Sequence, residues 1–340
     1  MIYRYYCLFV LVILLVARVA EAGDIHDPVL AIPWPSELSG PLKSNATFYE
    51  VAKSNYLLDF HGNVNNPDLV IFMAGNQYRA VPDLIATFRE WARQHDSFKI
   101  LKLDNIFYAT LPPGLLTEAM KSGQLVVGNM WFDISPAGLW PDVFMTGPLQ
   151  HKHLFEDGLI DNYTIYARNR GAVLLVQAGN PKNVASVKDL LRDDVRVAIP
   201  SPQREPASFG SYARTMRGQG DAALAGQVLA KPTTVSPAVV HHREIPQLIA
   251  DGKADVALMY FHFGDYLKGA MPQLFDYVTL PPENNFIDSL GIAKIKNTPR
   301  ESAAQAFLEF MRTESAAEVY ERHGFTSATS TERTVAIVPK

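Results

Sequence analysis

Residues 68–91, DLVIFMAGNQYRAVPDLIATFREW, constrain the fold of this chain more than any other stretch. Leu69 through Ala74 form a continuous apolar run, the pattern of a strand buried on both faces. Val81, Leu84, Ile85, Phe88 and Trp91 follow at helical spacing and give one apolar stripe facing a core. Gly75, Asn76, Gln77 and Tyr78 between them leave room only for a tight strand-to-helix turn. Such a turn aims the free N–H groups of a helix N-terminus beyond the carboxyl end of the strand. An α/β sheet binds ligands there, and a helix N-terminus favours a negative one. The stretch reads as part of a binder before it reads as part of a catalyst.

With 340 residues the chain is long for one sheet, so two lobes are expected. Its 48% hydrophobic and 19% charged residues argue for substantial cores and against disorder. Residues 1–22 read as a secretory leader. Arg4 supplies the positive start, residues 7–16 (CLFVLVILLV) the apolar centre, and Ala20, Glu21 and Ala22 an A-x-A cleavage site. The expectation is an exported, periplasmic protein that matures at Gly23. Cys7, the only cysteine, lies in the leader, so the mature chain has no disulfide and no cysteine metal site. Loss of Arg4, Arg18 and Glu21 with the leader moves the net charge from −4 to −5. No basic block is present, which argues against a nucleic-acid partner. Mild acidity also means that an anion must be held by local donors rather than steered by a global field.

Residues 23–65 are rich in Pro, Asn and Ser and suggest an irregular arm with one short helix near 47–55. Residues 98–103 are expected to form a second strand, and 108–114 a turn into a helix over 115–121. Residues 124–140 are apolar and aromatic without clean periodicity, fitting a covering loop or a pocket wall. A strand over 142–145 then leads through Gly147 and Pro148 into a helix ending near 157. Residues 163–181 read as one long strand, Ser186 as a cap, and 195–199 as the next strand. Residues 200–211 form a loop before helices from 212 and over 222–231. A short segment, 235–240, runs into His241, His242 and Arg243, with a helix over 244–251 and a buried strand over 254–260. A strand over 291–295 and two helices within 299–323 complete the pattern. The alternation of strand and helix is doubly wound α/β.

Several of these segments together resemble the periplasmic solute-binding proteins of ABC importers, in particular the molybdate/tungstate-binding, type II branch. The segments are DVFMT at 142–146 with GLI at 158–160, NRGAVLLVQAGNP at 169–181, VKDLL at 187–191, and 195–213 ending in FGSYA. Residues 244–260 and 292–325 complete the match. The resemblance implies two α/β lobes joined by two crossover strands. Lobe one would be 66–167 plus 263–330, lobe two 168–262, and 331–340 a C-terminal tail. In that family hydroxyls and backbone N–H groups from four or five loops hold the anion. The first loop's serine falls on Asn76 and the second loop's on Pro113, which has neither a hydroxyl nor an N–H. The third loop falls on Phe209 and Gly210, the fourth on His242, and the family's tyrosine on Tyr260. To these matched positions the residues themselves add Gln77, Gly114, Ser211 and Arg243, the last as the nearest replacement for the lost serines, so the expected site is Asn76, Gln77, Gly114, Gly210, Ser211, His242, Arg243 and Tyr260, holding a small oxyanion of the molybdate type or an organic carboxylate. The implied partners are a membrane permease and an ATPase, with the chain itself a monomer that needs no cofactor.

Three readings of His241, His242, Arg243 and Glu244 stay open on the residues alone. His and Arg donors at a helix start could face an oxyanion. His241 and His242 could instead ligate a divalent metal, although adjacent side chains usually point apart. Or the segment is a solvated loop with Glu244 pairing Arg243. His151 and His153 are expected on a helix surface, too far around it to share a metal. Arg79 could reach an anion in the first turn or simply cover the helix. Trp131, Phe132 and Trp140 suit either an aromatic pocket or packing of the 124–140 insertion. No HExxH, G-x-S-x-G, P-loop or mature cysteine nucleophile is found, so catalysis is not expected.

Overall fold

The computed structural model describes residues 59–340, apart from 63, 128–129, 135–137 and 238–239. The leader, most of the 23–65 arm, and the side chains of Trp131 and Phe132 lie outside the described residues.

The chain opens with β1 (Phe60–His61), β2 (Leu69–Met73), α1 (Val81–Gln94), β3 (Ile106–Ala109) and α2 (Pro113–Ser122). A hairpin of β4 (Gln124–Val127) and β5 (Met130–Asp133) follows, then β6 (Val143–Thr146), α3 (Pro148–Glu156) and β7 (Thr164–Arg168). The second sheet begins with β8 (Ala172–Gln177) and β9 (Val197–Ala198), and continues through α4 (Pro206–Gln219), α5 (Leu224–Ala230) and β10 (Thr234–Val235). It ends with α6 (His241–Ala250), β11 (Val256–Tyr260), α7 (Phe261–Ala270) and β12 (Phe275–Thr279). The chain then returns with β13 (Ser289–Lys294), α8 (Glu301–Phe310), α9 (Glu314–Arg322), β14 (Thr326–Ser327) and α10 (Ser330–Thr334). The first sheet has the order β1-β3-β2-β6-β13-β7-β14 and the second β10-β9-β11-β8-β12.

β2 is covered on both faces, as its unbroken apolar run requires. Leu69, Ile71 and Met73 join one core with Val81, Leu84, Ile85 and Phe88 of α1 and with Phe307 and Phe310 of α8. Val70 and Phe72 point the other way, into a core with Leu116 and Met120 of α2 and Leu154 of α3. Phe88 meets the Phe307 ring edge-on at 5.0 Å between centroids, a favourable aromatic geometry. At the far end of this lobe Thr313 caps α9 by accepting from the Ala316 N–H. Thr313→Ala should cost about 1 kcal/mol of stability, read as a small fall in the urea midpoint with an unchanged slope.

The structure departs from the sequence expectations at several places. Residues 98–103 form a turn rather than a strand, and Ile100 is 85% exposed; the strand is the shorter β3, buried on both faces. Residues 163–181 are two strands, because the chain leaves the first sheet at Asn169 and Gly171 and enters the second. The tail carries α10, and Ile337 bridges Tyr163. The second sheet extends beyond residue 262: α7 packs on it, and β12 pairs antiparallel with β8. The return crossover therefore falls at Phe286, Ile287 and Asp288. The two crossovers are tied to each other, since Asn169 N–H donates to the Asp288 carbonyl and Asp288 N–H to Asn169 Oδ1, both at 3.0 Å.

His151 is fully buried in the core side of α3, not on its surface. Its ring stacks on Tyr163 at 4.5 Å, and the two rings occupy the space beside Gly291 of β13. A Cβ on Gly291 would lie 2.7 Å from Tyr163 and 3.0 Å from His151, so only glycine fits there.

Candidate functional site

Each sheet contains three parallel strands whose middle member comes first in sequence. β2 lies between β3 and β6, and β9 lies between β10 and β11. The chain leaves such a middle strand in opposite directions for its two neighbours, which opens a crevice at the carboxyl ends. The two crevices face one cavity of about 430 Å³. From the first lobe it is lined by Gly75 and Asn76 after β2, Pro112 and Pro113 after β3, and Thr146 to Gln150 after β6. From the second come Glu205, Ala207 and Ser208 after β9, His241 and His242 after β10, and Tyr260 at the end of β11. Phe286 to Leu290 of the return crossover close one side.

Four helices of nine residues or more begin at this wall: α2, α3, α4 and α6. The first three open with Pro113, Pro148 and Pro206, which fix the helical φ and have no N–H to leave unsatisfied. The N–H groups of the next residues remain without intrahelical partners. The start of α6 already has an anionic cap. Glu205 accepts from the His241 N–H at 3.0 Å, and the His241 Nδ1 lies 2.8 Å from the other carboxylate oxygen.

The cavity brings together Asn76, Ser211, His242 and Tyr260 of the residues expected from sequence, with His241 beside them. Asn76 Oδ1 has no protein partner, while its carbonyl accepts from His262 Nε2 at 2.9 Å. Gln77, Gly114, Gly210 and Arg243 do not line it. Gln77 is wholly buried beneath the turn; its N–H donates to Ala74 O, and its Oε1 accepts from the hydroxyls of Tyr166 and Tyr320. Gly114 and Gly210 lie within α2 and α4, and open space surrounds the position a side chain would take at either. Arg243 is buried and ion-pairs with Asp59, at the edge of the first sheet, under the Tyr78 ring. Arg79 lies over the Tyr266 ring at 3.0 Å, away from the cavity. Trp140 packs against the α2 side of the core.

Sequence reasoning missed Glu205, Ser208, Arg214 and Asp288. Pro206 was a usable signal, since a proline at the first helical position starts α4 six residues earlier than the apolar pattern suggests. No local signal marks Asp288, which reaches the cavity only because the crossover passes there.

Burial is the main influence on His242, Tyr260 and Asp288 of the wall. It holds His242 neutral, well below the usual histidine range, with the charges of neighbouring side chains adding to the effect. It pushes the Tyr260 phenol up, so Tyr260 stays a hydroxyl beside Ser208 and Ser211. It also pushes the Asp288 carboxyl up, against the pull of Ser211, whose hydroxyl donates to it, and of Arg214. Gly75 is held by close approach: a Cβ there would lie 2.5 Å from His242 Cε1 and 2.8 Å from the Thr110 carbonyl. His242 thus reaches across from α6 to touch the first turn of the opposite lobe, and its ring stacks on Tyr78 at 5.3 Å.

Comparison with known structures finds the same two-lobe fold in several proteins. The periplasmic molybdate-binding protein of Azotobacter vinelandii is 16% identical, with a TM-score of 0.56 over 76% of this chain and 98% of that one. The sulfate-binding protein SubI of Mycobacterium tuberculosis H37Rv is 16% identical, with a TM-score of 0.55 over 78% and 88%. Campylobacter jejuni Peb3 is 14% identical, with a TM-score of 0.52 over 76% and 100%, and a Peb3 structure holds L-phospholactate. No curated protein sequence matches the chain. The family model for bacterial extracellular solute-binding proteins matches residues 69–326. That span takes in both sheets from β2 onward and every residue of the cavity wall, so the chain belongs to the bacterial extracellular solute-binding protein family.

Proposed function

We propose that the chain captures a small organic anion, with a carboxylate or phosphate-type head, between its lobes and delivers it to the permease and ATPase of an ABC importer. The observation that carries this reading is the convergence of six strand ends and four helix starts on one cavity. Single helix termini favour an anion by only ~0.3–1 kcal/mol when exposed, so several must act together in a partly closed cleft. Asn76, Ser208 and the first N–H groups of α2, α3 and α4 would hold the head. Ser211, Tyr260, His242 and the Asp288 carboxyl would meet hydroxyl groups on the body.

Size favours an organic solute over a bare molybdate-like dianion. At roughly 30 Å³ per water, the cavity has room for many times the volume of a tetrahedral oxyanion. Its wall includes Leu149, Phe286, Ile287 and Leu290, and Pro113 stands where a hydroxyl donor was expected. Proteins of this fold bind anions as different as sulfate and L-phospholactate, which is compatible with either size. Periplasmic residence, and maturation at Gly23, belong to the same proposal.

Thermal shift with a panel of hydroxycarboxylates, phosphorylated three-carbon acids, molybdate, tungstate and sulfate tests it. A true ligand at a thousand times its Kd should stabilise the fold by ~4 kcal/mol. Asn76→Ala should then weaken binding by roughly tenfold, the loss expected for one hydrogen bond to a charged group. A response to molybdate alone would return the reading to the inorganic dianion, and no response to any anion would reject it.

A further inference from the structure

Three side chains at the floor of the cavity have the composition and geometry of a transition-metal site. Glu205, His241 and His242 are each at least 96% buried, and each can offer one ligand atom such that the three lie within 4.8 Å of one another. All three face the cavity. We propose that they bind a first-row divalent cation of the zinc class, with its remaining coordination position open to the cavity.

The local geometry carries this beyond a list of suitable residues. The His241 Nδ1 and a Glu205 carboxylate oxygen stand 2.8 Å apart, so a parting of about 0.6 Å would bring them to the ~3.4 Å between neighbouring ligands of a tetrahedral ion with bonds of about 2.1 Å. Tyr212, itself buried, has its hydroxyl 3.1 Å from His241 Nε2 and accepts from the Tyr260 N–H at 3.2 Å. That is the outer partner a ligating histidine needs to fix its ring and its tautomer. His242 comes at the His241 ring edge-on, at 5.4 Å and 89° between the planes. Extended backbone at Val240 gives way abruptly to the first turn of α6, so the two adjacent rings converge instead of parting. His242 Nε2 is buried with no hydrogen-bond partner, a cost that a metal ion bound here would remove.

Charge sets what else the ion would accept. Two neutral imidazoles and one carboxylate leave a divalent cation with one net positive charge, and nitrogen with oxygen ligands suit zinc and its neighbours over calcium or magnesium. The open side faces the helix starts where an anion is proposed, so an oxygen of the solute could fill the vacant coordination position. Only that last point rests on the anion reading; the three-residue site stands without it.

Zinc alone, added to chelator-stripped full-length protein, tests the site by competition with a chromophoric chelator. The expected result is one zinc per chain, with affinity falling by about a hundredfold or more in Glu205→Gln and in His242→Gln, beyond the loss usual for an outer partner. Circular dichroism establishes that each variant is folded, and two variants on different helices guard against a failure of one. Absence of stoichiometric zinc binding, or binding unchanged in both folded variants, overturns the proposal. The anion panel run without metal is scored separately, so a chain that binds zinc but no anion rejects the anion reading and leaves the metal site in place.

Discussion

Arg243→Ala is expected to lower the unfolding free energy by about 3–5 kcal/mol, the cost of removing one partner of a buried ion pair. Arg243 and Asp59 are both fully buried, with Arg243 reaching from α6 of the second lobe to the edge strand of the first. Asp59 also accepts from the Thr110 hydroxyl at 3.0 Å. Burial pushes the Asp59 carboxyl up to about 7 despite the pull of Arg243, so desolvation outweighs the attraction. Truncating the arginine would leave that carboxyl in an apolar environment with no counter-charge. The measurement is a urea midpoint for the wild type, Arg243→Ala, Asp59→Asn and the double variant. A coupling energy well above zero in the cycle identifies the pair as the cause. Solute affinity, measured where the variant is folded, should change by less than about tenfold, or ~1.4 kcal/mol, because the guanidinium does not line the cavity. Unaltered stability with abolished binding would instead put Arg243 in the site.

Acid should destabilise the protein well before its exposed carboxylates are neutralised. Burial lowers His151 to about 4 and His262 to about 3, and lowers His242 in the same direction. These rings stay neutral in the folded chain and take a proton near pH 6.5 in the unfolded one. Their contribution is therefore complete above about pH 6.5 and falls by ~1.4 kcal/mol per histidine per pH unit below it. Asp59 works the other way. With its folded value raised to about 7, it favours folding increasingly as pH falls from 7 toward its unfolded value, and offsets one histidine. The net expectation is a loss of roughly 2–4 kcal/mol between pH 6.5 and 5, seen as a falling urea midpoint. His151→Phe should flatten that slope by one histidine's share. A level profile from pH 7 to 5, or a slope that His151→Phe leaves alone, would contradict the assignment.

The sequence made the first turn legible because one continuous apolar run and one helical stripe meet there, and β2 with α1 follows that pattern residue by residue. Asn76, His242 and Tyr260 follow strands or begin helices, where doubly wound folds put ligands, and they line the cavity, as Ser211 does from within α4. Arg243 was read as a site residue for its charge and position beside His242. Its partner Asp59 lies 184 residues away in a segment with no periodicity, and local reasoning could not pair them. The four apolar residues within 98–103 imitate a strand, whereas the true strand, β3, is short and apolar on both faces. The second lobe was expected to end at residue 262, and β12 lies beyond that boundary in the second sheet. Half-buried Asp276 and Tyr277 resemble an edge strand of either lobe, and only pairing with β8 decides between them. Glu205 carries only the indirect mark of Pro206 at the start of α4, and Asp288 reaches the cavity only through the path of the crossover.

The central claim, that the interlobe cavity captures a small organic anion, is tested most directly by native mass spectrometry of the full-length protein purified without refolding. One small anionic adduct per chain is predicted, released on denaturation and identified as a carboxylate or phosphate ester. That adduct should be displaced by the best ligand of the panel and retained less well by Asn76→Ala. A bare chain that takes up none of the panel, or one that converts an added compound into a new product, would contradict it.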